Sequence, residues 1–380
     1  MEKKNRLSHS AVNTYMTCPK RYYHHYIDKL REKVISGALL FGSALDAGVN
    51  SLLLGKSDTG EEEFIKSWEY AEINKRREFL PGNSLVVYAK TDFDSEILKE
   101  DDEKILYEFA STLIPDHLVL DSVKILESTG KAPDLKSISD LYKIVNERKL
   151  NKSANENELK FLNHCNWRCL RIKGLLMLHA YKQEVMPNIK KVVAVQSWIS
   201  VKNDEGDEII GVVDLIAEWK DAGVIIFDNK TSSRAYESDA VEFSPQLTLY
   251  VHSLENKYKT KKAGFIVMNK NINKQRKKQC KKCANDGTGD RHKTCANIIE
   301  GERCGGVWDE VIDPKCNIQI LIQEIPQRTE EIVLDNFNHV NNAIKQEVFP
   351  RNFNSCEGGF GLCPYINLCW KGKKDGLEKV

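Results

Sequence analysis

The chain has 380 residues, with 56 Lys plus Arg against 55 Asp plus Glu and 41% hydrophobic residues. That length can bury a full core and fits one main domain with insertions. A net charge of +1 gives no global signal for nucleic acid or for a membrane surface. No apolar run reaches the ~18 residues of a membrane span, and the polar N-terminus lacks the apolar stretch of a secretory signal. Eleven cysteines in such a chain point to metal ligation in a reducing, cytoplasmic compartment more than to disulfides.

Residues 8 to 54 read as two helices. Ser8 or Ser10 can cap the first, and Tyr15, Cys18, Tyr22, Tyr23 and Tyr26 give it an aromatic face, read as core packing ahead of base stacking. From about 60 to 185 the pattern is charged and mainly helical, with loops near Pro81-Gly82 and Pro133. Within it, Cys165 and Cys169, beside His164 and not far from His179, read as buried apolar cysteines.

Four strands follow, at Lys191–Val201, Ile209–Glu218, Val224–Lys230 and Ala263–Met268, all rich in β-branched and aromatic residues. A helix carrying Gln246 and Tyr250 comes after the third of them. Lys270 to Lys282 contains seven basic residues (Lys270, Lys274, Arg276, Lys277, Lys278, Lys281 and Lys282) and no acidic one. This stretch reads equally as a phosphate-contacting segment and as a solvated loop. A last strand at Ile318–Gln323 and an amphipathic helix at Thr329–Val348 lead into a cysteine-bearing tail. Strands flanked by helices predict an α/β fold with a mixed central sheet.

The chemistry concentrates in Gly211-Val-Val-Asp214 and Val224-Ile-Ile-Phe-Asp228-Asn-Lys230, two strands joined by a turn at Asp221-Ala-Gly223. Alternation puts Asp228 and Lys230 on one face, and antiparallel pairing brings Asp214 within about one residue of Asp228. Two carboxylates and an ammonium at the end of a hydrophobic sheet suit a hard divalent cation and a positioned water. Taken alone, the same residues also describe a surface hairpin with ordinary charges. Gln246 and Tyr250, four apart, share one face of the following helix.

Eight cysteines form two sets of four. Cys280-Lys-Lys-Cys283, Cys295 and Cys304-Gly-Gly read as a small zinc ribbon, with His292 as an alternative fourth ligand. Cys18 at one end of the chain joins Cys356, Cys363 and Cys369 at the other. Their spacing alone does not separate an iron–sulfur cluster from zinc. A metal there would close a loop of more than 330 residues, from Cys18 to Cys356, and hold the two ends together.

Taken together, the Asp214/Asp228/Lys230 strands, the Gln246-x-x-x-Tyr250 helix, the opening Leu7-Ser-His-Ser segment running to Cys18-Pro-Lys-Arg-Tyr-Tyr23, and the cysteine tail resemble one family. It is the RecB-like branch of the PD-(D/E)XK nucleases, in its iron–sulfur-bearing members. These include AddB-type helicase-nuclease subunits, CRISPR-associated RecB-like exonucleases and phage recombination exonucleases. The resemblance covers the first fifty or so residues, the segment from about 190 to 270 and the tail.

It implies a restriction-endonuclease-like core with Asp214 and Asp228 as ligands of Mg²⁺ or Mn²⁺. Lys230 would assist the attacking water, and Gln246 and Tyr250 would contact the DNA strand. Asp46, in Phe41-Gly-Ser-Ala-Leu-Asp46, occupies a place where the family often has a metal-binding His, and a carboxylate suits these hard ions. Gln196 stands near the family's usual Glu, where a neutral amide is a weaker ligand. The resemblance also assigns Cys18, Cys356, Cys363 and Cys369 to a 4Fe-4S cluster, and it makes the helical segment a wall of the DNA channel.

The implied organisation is 1–56 for N-terminal core helices, 57–185 for a helical insertion and 186–270 for the catalytic core. Residues 271–310 would form the zinc-ribbon-like insertion, and 311–380 the last strand, helix and iron–sulfur tail. No Gly-x-x-x-x-Gly-Lys-Ser/Thr motif is present, so no helicase motor is expected. The expected function is a DNA exonuclease acting on linear ends in phage or bacterial recombination or repair, with a single-strand annealing protein as a candidate partner. The alternatives are a CRISPR-associated nuclease trimming DNA ends and a non-catalytic, metal-stapled DNA-binding protein.

Overall fold

The computed structural model describes residues 6–32, 37–73, 170–171, 173–202, 206–285, 287, 292–358 and 361–380. The expected loops near Pro81-Gly82 and Pro133, the stretch with His164, Cys165 and Cys169, and most of the expected helical insertion lie outside them. The described residues belong to two compact units. One comprises 6–73, 181–268 and 318–380; the other comprises 170–180 and 269–317.

The first unit is α/β. Its sheet draws on β1 (Arg6–Ser8), β3 (Ile189–Lys202), β4 (Glu208–Trp219), β5 (Gly223–Ser232), β6 (Lys262–Cys280) and β9 (Trp308–Glu324). The order is β1-β4-β5-β6-β9, with β3 also paired to β4. β1 runs parallel to β4 while β3 and β5 run antiparallel to it, so the sheet is mixed as expected. The β4–β5 connection turns through Asp221 and Gly223, both at positive φ (58° and 79°), a geometry that glycine adopts freely.

On the edge of β4 away from β3, pairing is interrupted. There, β1 covers Glu208–Ile210 and β5 covers Leu215–Trp219. Gly211–Asp214 fall in the gap, where the two neighbours diverge. Ile216, Ile226, Val213 and Ile199 pack from the sheet against Leu247, Val251 and Leu254 of α5 (Pro245–Tyr258), forming the main core. Ser244 caps α5 by accepting from Leu247 N at 3.2 Å.

A second core joins α1 (His9–Thr17) to α6 (Gln327–Lys345) through Tyr15, Tyr22, Phe337, Val340 and Ile344. Tyr15 donates to Val348 O at 2.6 Å and Tyr22 stacks on Phe349, so these tyrosines are packing residues as the sequence reading preferred. α3 (Gly37–Leu53) and α4 (Glu61–Ile73) pack through Phe41, Phe64 and Trp68, all fully buried. The last residues, β12 (Leu377–Lys379), pair antiparallel with β2 (Leu30–Glu32). Leu30, Tyr365 and Leu377 form a small cluster beneath that pair.

In the second unit, β6 and β9 continue as long arms, where the sequence reading expected strands ending at Met268 and beginning at Ile318. The knuckles that carry Cys280, Cys283, Cys295 and Cys304 lie between these arms. A two-residue turn at Glu300-Gly301, both at positive φ, joins β7 (Ile298–Ile299) to β8 (Glu302–Arg303). No helix among the described residues is long and apolar enough to cross a membrane.

Candidate active site

The gap in β4 is where the polar side chains gather. Extending the observed pairing of Leu215 with Phe227 by one residue sets Asp214 opposite Asp228. In place of a strand–strand bond, the Asp214 carboxylate takes up the freed backbone: Asn229 N–H donates to its Oδ2 at 2.8 Å. Gln196 Nε2 donates to Asp214 Oδ1 at 3.3 Å. Gln196 sits at φ 50°, a left-handed conformation inside a strand that costs on the order of 1 kcal/mol and persists only where its surroundings enforce it.

Asp228 is 2% exposed and forms an ion pair with Lys230, Nζ to Oδ2, at 2.6 Å. Gln246 ties the helix to this pair. Its Oε1 accepts from Lys230 Nζ at 3.0 Å, and its Nε2 donates to Asp228 Oδ1 and to the Tyr250 hydroxyl, each at 2.8 Å. Tyr250 in turn donates to Val212 O at 2.7 Å, two residues from Asp214. The i, i+4 spacing read from the sequence therefore becomes one hydrogen-bonded chain from β4 through α5 to β5.

Asp46 reaches the same neighbourhood from α3. Burial, followed by the negative charges of Asp214 and Asp228, pushes its carboxyl up to about 7, and Lys230 opposes the rise. Burial pushes Asp228 up to about 6, with Lys230 pulling down and Asp214 pushing up. Asp214 is also raised by burial, against the pull of the Asn229 N–H and Lys230. For Lys230 the pull of Asp228 and Asp214 outweighs burial and keeps the ammonium protonated.

The oxygens of Asp46, Asp214 and Asp228 do not all lie within 4.8 Å of one another. Buried carboxylates that burial pushes toward the neutral form are hard oxygen donors that Mg²⁺ or Mn²⁺ would satisfy.

The sequence matches the PD-(D/E)XK nuclease superfamily over residues 6–113 and 117–370. The chain belongs to the PD-(D/E)XK nuclease superfamily. Membership in the superfamily implies a nucleic-acid substrate and points to metal-dependent hydrolysis. No curated protein matches the chain.

Two residues near this superfamily site carried no motif signal. Tyr181 is fully buried, and burial together with the charges of Asp214 and Asp46 drives its hydroxyl far above the usual phenol range. His9 lies in the quoted N-terminal segment but had no assigned role. Burial, aided by the Lys230 charge, lowers its pKa. Only the fold could reveal either, since neither has a fixed spacing from Asp214 or Asp228.

Both cysteine sets assemble. Cys18, Cys356, Cys363 and Cys369 line one pocket together with Arg21 and Arg351. Asn352 N–H points at Cys18 Sγ at 3.5 Å. Burial raises the Cys18 thiol, but the N–H groups of Asn352, Arg21 and Lys20 outweigh it and leave the thiol lowered. Among the described residues, one set holds its ligand atoms all within 4.8 Å: Cys280, Cys283, Cys295 and Cys304, which can hold a metal. His292 is not in that set, and its carbonyl accepts from Trp308 Nε1 at 2.9 Å. The side chains of Lys274, Arg276 and Lys277 in the basic stretch fall outside the described residues.

Proposed function

We propose that the chain is a Mg²⁺- or Mn²⁺-dependent DNA exonuclease of the RecB-like branch, acting on linear ends in recombination or repair. The observation that carries this reading is the meeting of Asp46, Asp214 and Asp228 with Lys230 at the break in β4 pairing. Asp46, Asp214 and Asp228 would hold the ion, which when bound would supply Lewis-acid activation of the phosphate and charge offset on the leaving oxygen.

The chain's own groups do the remaining work. Asp228 and Gln246 orient the Lys230 ammonium, which donates to the phosphate oxygens as negative charge builds on them. Tyr250 and Gln246 fix the position of that ammonium relative to β4. Burial of the centre keeps these interactions in a low dielectric, where they are stronger than in water. In the same reading, a 4Fe-4S cluster occupies the cavity of Cys18, Cys356, Cys363 and Cys369. Four soft thiolates suit iron, and Arg21 and Arg351 offset the anionic charge of a thiolate-ligated cluster. A zinc ion occupies the Cys280 set.

The test is hydrolysis of end-labelled linear DNA, single- and double-stranded, with 5′ or 3′ termini blocked, against closed circular DNA. Wild-type protein with Mg²⁺ or Mn²⁺ should degrade linear and spare circular DNA, and Asp228→Asn should lower the rate by about 10²- to 10³-fold with an unchanged circular dichroism spectrum. Equal attack on circles would refute the exonuclease reading. Full activity in Asp228→Asn would refute the proposed centre. Anaerobically purified protein should be brown, and a colourless, iron-free product would refute the cluster.

A further inference from the structure

The Cys280 set stands apart from the catalytic chemistry, and its geometry says more than that a metal binds. Cys280 Sγ and Cys304 Sγ lie 3.6 Å apart, and Cys283 Sγ and Cys295 Sγ lie 3.7 Å apart. Four sulfurs about 2.3 Å from one tetrahedral ion would be spaced by about 3.8 Å. A cubane places each thiolate on a different iron and needs its sulfurs farther apart. The spacing thus selects a single ion, and among divalent ions zinc binds thiolates more tightly than ferrous iron.

The backbone is arranged to receive thiolates. The N–H groups of Asn285, Asn297 and Gly306 donate to the sulfurs of Cys283, Cys295 and Cys304 respectively. The side-chain amides of Asn297 and Asn285 add longer contacts to Cys283 at 3.8 Å and to Cys295 at 4.0 Å. The first knuckle closes through Ala284 N to Cys280 O at 2.8 Å and forces Ala284 to φ 54°. The second places Gly305 at φ 62°. A non-glycine residue in that region is strained unless something holds the turn.

The buried cluster at this site is made of sulfur. Cys280, Cys295 and Cys304 are its buried members, with Cys283 and Trp308 packed against them. Nearby, Ile298, Ile299 and Val307 are 70%, 37% and 63% exposed. Among the described residues, this segment buries too little apolar surface to offset the entropy of ordering its chain.

We infer that Cys280, Cys283, Cys295 and Cys304 form a closed tetrathiolate zinc centre that folds the segment between β6 and β9 and takes no part in catalysis. With four thiolates the coordination sphere is full and leaves no position for a reactive water. The ion stands in for the apolar core that the described residues do not supply, so this segment folds when zinc binds. The inference rests on the zinc assignment to these thiols and is independent of the nuclease chemistry.

The experiment uses the full chain. Metal analysis should find one zinc per chain, and X-ray absorption at the zinc edge should find four sulfurs at about 2.3 Å. Absence of zinc, iron on these thiols, or nitrogen and oxygen ligands would overturn the assignment. Folding is then read by limited trypsin digestion at the exposed Lys281, Lys282, Lys293 and Arg303. Cys295→Ser should lose the zinc and be cleaved at these sites at least tenfold faster, with Asp228-dependent DNA hydrolysis retained. Cys295→His should keep zinc and protection. If Cys295→Ser does not fold, stripping zinc from wild-type protein with a mercurial gives the same readout. Zinc bound, followed by unchanged resistance to trypsin after its removal, would sink the folding role while leaving the assignment intact.

Discussion

Asp46→Asn offers the sharpest test of the electrostatics at the break in β4. Without a divalent ion, the Asp46 carboxyl titrates near 7 in the fold, against its ordinary 3.8. A folded-state pKa above the unfolded one means that the fold binds more protons than the unfolded chain. Stability is therefore greatest below about pH 4 and falls as pH rises through 7. At roughly 1.4 kcal/mol per pH unit, the carboxylate costs the metal-free fold about 2 kcal/mol at pH 5.5 and about 4 kcal/mol at pH 8. These are upper figures, because relaxation and water penetration around a buried carboxylate lower its cost.

The amide carries no charge and removes the cost. In buffer free of added divalent ions, denaturant titration should find Asp46→Asn more stable than wild type at pH 8, with the advantage shrinking by about 2 kcal/mol at pH 5.5. Mn²⁺ should stabilise wild type increasingly from pH 5.5 to 8, because binding displaces protons, and should stabilise the variant far less. A variant less stable than wild type at pH 8 without metal, or an advantage that does not change with pH, would refute the burial and repulsion that raise Asp46.

Gln246→Leu should leave Asp228 Oδ1 and the Lys230 ammonium each short of a partner. It should cost about 1–3 kcal/mol in denaturant titration and lower the hydrolysis rate more than it weakens Mn²⁺ binding. Lys345→Met should destabilise the protein by about 3 kcal/mol, because Asp207 is 1% exposed and its 2.6 Å ion pair with Lys345 would be lost. Gly264→Ala should cost about 1–3 kcal/mol in the same measurement, since a β-carbon there would stand 2.6 Å from Leu321 O and from the Phe227 ring. An unchanged midpoint in either of the last two would show that the fold yields where it looks tightly packed.

The β4–β5 hairpin, its turn and the Asp214/Asp228 register were legible because alternation of side chains fixes strand facing with little help from the rest of the chain. β1, at three residues, was too short to leave a pattern, and the arms of β6 and β9 are polar, so their ladders carry no apolar signature. The Cys-x-x-Cys spacing announced its metal site, but choosing Cys295 and Cys304 over His292 required knowing which loops fold back together. Asp46 was visible only through family resemblance. Tyr181, Gln196's bend and the proximity of His9 to Lys230 arise from contacts across the sheet that no local spacing encodes.

The break in pairing also explains why these particular groups had to come together. A strand that loses its neighbour leaves backbone donors needing acceptors, and Asp214 meets that need through Asn229 N. Bringing a carboxylate there draws a second one, Asp228, into a buried position, which is tolerable only with a paired cation and hydrogen bonds. Lys230 and Gln246 supply both. The same gap that costs the sheet ladder bonds thus brings buried carboxylates and an ammonium together at Gly211–Asp214. A change that restored β4–β5 pairing through Asp214 would strengthen the sheet and abolish the centre.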